Sequence, residues 1–245
     1  MRPLLRLLLV DIASHGRWAV FGAAFLSFTA LYAIFAGGGW WLSHSVLSAW
    51  NIGAPMDSRQ LRPGQIPKEI RRSLVSIAIF AGYGVLIVDA YRAGLVSVAW
   101  DSSWLRIAID IGILFVWNEV HFFACHRLLH TRWLYRHVHR IHHESIVPTP
   151  FSTYSFHWIE SFLLGSVMIV AMLIRTFSIW ALLALPVFSI LFNTIGHWNY
   201  NLLAGTGRRS ASVEHGRHHR RVAGNYGFYL PYLDRLFRTF LRGSA

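Results

Sequence analysis

Histidine is the residue type here with chemistry to offer, and it is not scattered. Of the 14 histidines, 12 fall within two stretches, 121–157 and 197–219. Three tight clusters lie inside them: His126-Arg-Leu-Leu-His130, His139-Arg-Ile-His142-His143 and His215-Gly-Arg-His218-His219. On a helix, residues i, i+3 and i+4 share one face, so each spacing projects its imidazoles the same way. Neutral imidazole is a ligand for iron, zinc, copper or nickel. These eight imidazoles exceed what one ion takes, so a pair of ions sharing a pocket is the natural count. His197 is a candidate additional ligand. A histidine alone among arginines and aromatics is more often an interfacial or capping residue, which is the expectation for His15, His44, His121 and His137. His157, between Phe156 and Trp158, reads as a group behind the ligands or along a substrate channel.

The elements that must bring these clusters together are apolar. Hydrophobic residues make up 54% of the 245-residue chain and charged ones 14%, against about 25% charged in a soluble domain. That balance excludes disorder and points to an all-α integral membrane protein. A single cysteine, Cys125, excludes a disulfide scaffold and a cysteine-built zinc or iron–sulfur site. The formal net charge is +12, with Lys68 the one lysine beside 22 arginines. Basic loops flanking apolar spans account for that excess, so a nucleic-acid partner is not expected.

The spans are expected at Trp18–Ala36, Ser73–Val88 and Trp104–Phe123. Two further runs, Ile159–Ile174 and Phe177–Ile195, form a helical hairpin with its tip at Arg175 and Pro186 kinking the returning arm. That makes about four to five membrane-embedded helices. Residues 37–41 (Gly-Gly-Gly-Trp-Trp) end the first span, and residues 42–72, with three prolines, form a loop or surface segment. Met1–Val10 lacks a convincing cleavable leader, since Asp11, His15 and Arg17 interrupt it. Lys and Arg number five in 42–72, four in 125–158 and eight in 197–245, against one each in 89–103 and at 175. The three basic segments therefore share one side, expected to be cytoplasmic, where a His-rich helical cap sits. Three arginines precede the first span although this topology puts the N-terminus outside, which argues for an interfacial or re-entrant course. Asp110, Glu119 and His121 lie within the third span, where ionisable groups tend to mark function.

The order of the clusters, with an apolar hairpin before the last, resembles the fatty acid hydroxylase/sterol desaturase superfamily over about residues 70–242. Glu119 and the aromatics before "HRLLH" resemble the family's first box, where Asp is usual at the Glu119 position. Asn225–Thr239 (NYGFYLPYLDRLFRT) resembles the segment after the third box, and Ile146–Glu160 (IVPTPFSTYSFHWIE) is most similar to sterol desaturases that introduce a ring double bond. Asn201 stands nearest to where some members carry a further histidine after the one matching His197.

The resemblance implies two iron ions, with zinc as a substitute picked up in purification, that activate O2 to hydroxylate or desaturate a lipid. His126, His130, His139, His142, His143, His197, His215, His218 and His219 are the implied metal ligands. Glu119 is the catalytic-site candidate, hydrogen-bonding a ligand imidazole; a helix-end charge pairing with Arg127 or Arg136 is the alternative. Asp234 and Arg235 are expected to organise the C-terminal segment, with Asn225 and Gly227 as turn residues. The implied substrate is sterol-like or fatty acyl, tilted toward sterol by Pro148-Thr149-Pro150-Phe151. Electrons are expected from a separate ferredoxin or cytochrome b5 type of donor. The implied division is 1–72, a membrane segment with a basic loop, and 73–245, the catalytic domain. A zinc protease would need H-E-x-x-H, which is absent, and a bis-His haem protein would place isolated histidines inside spans. A metal transporter or non-catalytic metal protein is the alternative.

Overall fold

The structure is a computed structural model that describes residues 10, 11, 14–206 and 210–241; the leader reading at 1–9 falls outside the described residues. It is helical, and among the described residues four helices are long and apolar enough to cross a membrane. Helix α1 spans Arg17–Ala49, α2 Gln65–Arg92, α3 Trp104–Leu129 and α7 Ile179–His197. Between α3 and α7 lie the short α4 (Arg132–His137), two 3-10 turns (His139–Glu144 and Pro150–Tyr154), and the hairpin arm α5 (Trp158–Gly165) and α6 (Val167–Ile174). Helices α8 (Ala211–Arg221) and α9 (Tyr232–Leu236) follow.

Two short ladders fix which end is which. Val98 and Ala99 pair in parallel with Phe177 and Ser178, so the 89–103 connection and the hairpin tip meet at one end. Arg17 reaches Asp89 at 2.8 Å there. Ala54 and Pro55 pair with Asn201 and Tyr200 at the other end, beside the histidines. Helix α1 therefore runs the length of the bundle, which corrects the interfacial or re-entrant course. The glycine triplet does not end it. A Cβ on Gly39 would lie 2.9 Å from Thr194 Cγ2 and 3.6 Å from Pro150, so the glycine is there for close approach to neighbouring segments. The helix passes this point through π-helical turns at Ala33–Gly37 and Leu42–Val46.

Helix α2 also starts earlier than the polar composition of 42–72 suggests, and the boundary between residues 72 and 73 falls inside it. Pro67 sits in its first turn, where its missing N–H costs nothing. Glu69, 2% exposed, accepts hydrogen bonds from Gln65, Ser145 and Thr149 and ties α2 to the 145–154 segment. Tyr32 and Ser73 donate to the Phe151 carbonyl, and Ser76 to that of Tyr154.

Helix α3 runs six residues past the expected end at Phe123, carrying His126 on its last turn. The hairpin forms as expected. Asp110, fully buried, accepts from Arg175 (2.7 Å) and from the Ser178 amide (2.8 Å), so this deep acid fastens the hairpin tip to α3.

Candidate metal centre

Each cluster is delivered by a different kind of element. His126 lies on the last turn of α3 and His130 caps it; His139, His142 and His143 ride a 3-10 turn; His197 ends α7; His215, His218 and His219 ride α8. The hairpin carries α7 back to the end where α3 finishes, so segments far apart in sequence converge.

The nine imidazoles sort into two groups. His126, His130, His139, His143 and His218 form group one, and His142, His197, His215 and His219 form group two; within each, the ligand atoms lie within 4.8 Å of one another. Each H-x-x-H-H box is divided between the groups. The i and i+4 members stay together (His139 with His143, His215 with His219), while the i+3 member crosses over (His142 to group two, His218 to group one). The groups adjoin, with the His143 and His219 rings 4.7 Å apart.

Hydrogen bonds set which nitrogens face inward. Nδ1 of His126, His218 and His197 donates to the carbonyls of Tyr226 (2.9 Å), Gly224 (2.7 Å) and Asn193 (2.8 Å). A carbonyl only accepts, so these rings carry hydrogen on Nδ1 and present a bare Nε2. His139 Nδ1 likewise meets Glu160 Oε1 at 2.8 Å. In group one, Nε2 of His143 lies 3.1 Å from Nε2 of both His139 and His218, and His130 Nε2 lies 3.1 Å from that of His218. In group two, the Nε2 separations are 3.1, 3.0 and 3.1 Å along His142–His197–His215–His219. His143 Nε2 has at most one hydrogen and faces two bare nitrogens, so hydrogen bonding cannot satisfy the group. A cation can: ligands at right angles on a metal with bonds of about 2.1 Å stand about 3.0 Å apart. An all-imidazole set of five and four donors fits a pair of transition-metal ions.

Protonation favours the same use. Burial, reinforced by neighbouring imidazoles, holds His139, His142, His143, His215 and His219 well below the usual histidine range. Burial lowers His130 to about 3 and His218 to about 4. Neutral imidazole is the metal-binding form.

The supporting shell differs from the sequence reading. Glu119 meets no imidazole: its carboxylate accepts from the amides of Tyr229 (3.2 Å) and Leu230 (3.1 Å). It thereby holds the strap whose Tyr226 carbonyl orients His126. The carboxylate on a group-one imidazole is Glu160, 1% exposed and overlooked in the sequence. Its available signal is an acid at the start of an apolar run, within 21 residues of His139. Asp234 organises the strap as expected, accepting from the amides of Tyr226 (2.8 Å) and Gly227 (2.7 Å) and from the Thr239 hydroxyl (2.7 Å). Asn225 turns there with φ 51°, and a Cβ on Gly227 would meet Asp234 Oδ2 at 2.8 Å.

The remaining histidines join neither group. His157 caps α5 by accepting from the Ile159 amide, and His121 meets Ser166 at the break between α5 and α6. His15, His44 and His137 bond backbone carbonyls one turn back. Below the imidazoles is a small cavity lined by Phe122, Leu129, Phe156, Leu164, Asn193 and Glu160. The Pro148–Phe151 stretch packs against α2 and is not among its lining residues.

Comparison with known proteins agrees with this geometry. The profile described as fatty acid hydroxylase matches residues 111–239, which hold both groups. The chain belongs to the fatty acid hydroxylase family. It is 33% identical to a very-long-chain aldehyde decarbonylase of Oryza sativa subsp. indica, over 69% of this chain and 67% of that protein. It is 28% identical to a methylsterol monooxygenase of Arabidopsis thaliana (56% and 54% of the two chains). With a Delta(7)-sterol 5(6)-desaturase of Schizosaccharomyces pombe the identity is 27% (57% and 42%). The chain thus spans about half the length of these two sterol-modifying relatives. No solved structure gives a significant match. Members of the family are oxidoreductases acting on lipids. This chain is an integral membrane protein.

Proposed function

We propose that the chain is a membrane-bound di-iron oxidase that hydroxylates or desaturates a lipid, sterol-like or fatty acyl, with O2 and electrons from a separate carrier. The observation that carries this reading is the pair of adjoining imidazole groups whose Nε2 atoms face one another at 3.0–3.1 Å. His126, His130, His139, His143 and His218 would hold one iron, and His142, His197, His215 and His219 the other. The bound pair supplies oxygen activation for breaking an unactivated C–H bond.

The chain's own residues do the rest. Glu160 and the carbonyls of Tyr226, Gly224 and Asn193 fix ring orientation and keep Nδ1 protonated. Phe122, Leu129, Phe156 and Leu164 give the small cavity beside the imidazoles an apolar wall, the side from which a hydrocarbon would approach. Glu119 and Asp234 act through the strap they brace. The positive-inside bias supports a cytoplasmic position for this end, within reach of a soluble carrier. Asp110 and Glu119, the acids deep in α3, are engaged by the hairpin tip and by backbone amides, which favours an enzyme over a transporter.

Expression in a host with a competent donor tests the proposal. Lipids should change in air and not under nitrogen, and the change should vanish with His142→Ala. No oxygen-dependent change in lipids would overturn it.

A further inference from the structure

Hydroxylation consumes two electrons and two protons per O2, giving the alcohol and water; desaturation consumes the same and gives two waters. This inference rests on the proposed function and concerns where those electrons enter. Among the nine imidazoles, His130 is the one that is not fully buried. The Tyr135 ring of α4 stacks on it, centroids 5.4 Å apart and 28° between planes, and lies 5.6 Å from the ring of His143. Helix α4 turns Arg132, Trp133 and Arg136 outward, with Trp133 63% exposed.

Two more arginines reach the same place. Arg140 is exposed and close enough to act on the Tyr135 hydroxyl. Arg221 is exposed at the end of α8, next to Val222, whose backbone bonds the His130 ring. The stretch 120–143 contains no acidic residue, and the next one, Glu144, is engaged by Lys68 and Arg72 at 2.7 and 2.9 Å. A basic, aromatic-bearing face thus surrounds the surface point nearest an outer ligand.

We propose that this face, formed by Arg132, Arg136, Arg140 and Arg221 around Tyr135, docks an acidic one-electron carrier protein, and that electrons pass through His130 into group one. A carrier delivers one electron per encounter and leaves oxidised; two encounters complete a turnover, with protons drawn from water. Charge alone would serve a lipid headgroup equally. The Tyr135–His130 stack leading from the patch to a ligand is what favours the carrier.

The test uses the iron-loaded, detergent-purified full chain and reduced acidic [2Fe–2S] ferredoxin as the probe, followed by stopped flow. Raising ionic strength from about 0.05 to 0.5 M should slow ferredoxin oxidation about tenfold or more. The double variant Arg132→Glu/Arg136→Glu should lose a similar factor at low salt while its reduction by dithionite is unchanged. Arg62→Glu/Arg71→Glu, an equal charge change elsewhere on the basic side, should behave as wild type. Ferredoxin kinetics insensitive to salt or to the α4 variant, or no saturable reaction with ferredoxin, would overturn the docking proposal. So would loss of binding to phosphatidylglycerol vesicles with the ferredoxin rate intact, which assigns the arginines to lipid. Failure of dithionite to reduce any bound metal would instead overturn the underlying function.

Discussion

Removing the Glu160 carboxylate tests whether the group-one imidazoles are a metal site held in shape from behind. Glu160 is 1% exposed, and its Oε1 accepts from His139 Nδ1 at 2.8 Å. A hydrogen bond to a carboxylate is worth about 1.5–3 kcal/mol, and about 1.4 kcal/mol is a factor of ten. Glu160→Ala should therefore weaken the affinity of group one about ten- to hundredfold, the range typical for groups that orient ligand histidines. Glu160→Gln keeps a neutral acceptor worth about 1 kcal/mol, so the remaining loss is about 0.5–2 kcal/mol and the affinity should fall about two- to thirtyfold. Competition against a chelator of known affinity, on detergent-purified protein, reads the change, and thermal unfolding checks the fold. A folded Glu160→Ala variant that binds two ions within twofold of wild type would refute the reasoning.

Other predictions concern the frame. Asp234→Ala strips three donors of their acceptor and should cost about 3 kcal/mol or more, seen as faster hydrogen exchange in 224–230 with weakened metal retention. Asp110→Ala, at the opposite end, leaves the Ser178 amide and Arg175 without their carboxylate. It should lower stability by about 1–3 kcal/mol while metal content stays at wild-type level. Gly165→Ala places a Cβ 2.7 Å from the Tyr83 ring; forcing α2 and α5 apart should cost about 1–3 kcal/mol in thermal unfolding. The pH dependence has a definite sign. His130 and His218 are lowered to about 3 and about 4 in the fold, so as pH falls the unfolded chain takes protons first. Stability of the metal-free protein is fully present above about pH 6.5 and declines from there toward pH 4. A melting temperature equal at pH 8 and pH 5.5 would contradict this.

The meeting of these nine histidines was readable because its signal is local spacing: three boxes and His197 at the mouth of a hairpin arm. The division of each box between two groups was not. In both boxes the i+3 member crosses over, on the α-helix at His215–His219 and on the 3-10 turn at His139–His143 alike, so the division is set by which rings the other segments bring opposite and not by local spacing. The hairpin was legible from Arg175-Thr176 between two apolar runs. Helix α1 was cut short because three glycines read as a break, whereas here Gly39 permits contact with Thr194 and Pro150. The start of α2 was hidden because Glu69 looks like surface until Ser145 and Thr149 close over it. The role expected of Glu119 falls to Glu160 for the same reason: a buried carboxylate's partner is set by tertiary contact.

Metal content per chain, measured on protein expressed with ample iron, bears most directly on the central claim. Wild type should carry two transition-metal ions, with zinc counting as well as iron. His142→Ala, which removes a group-two donor, should retain about one. A folded wild-type chain with no stoichiometric metal would contradict the account.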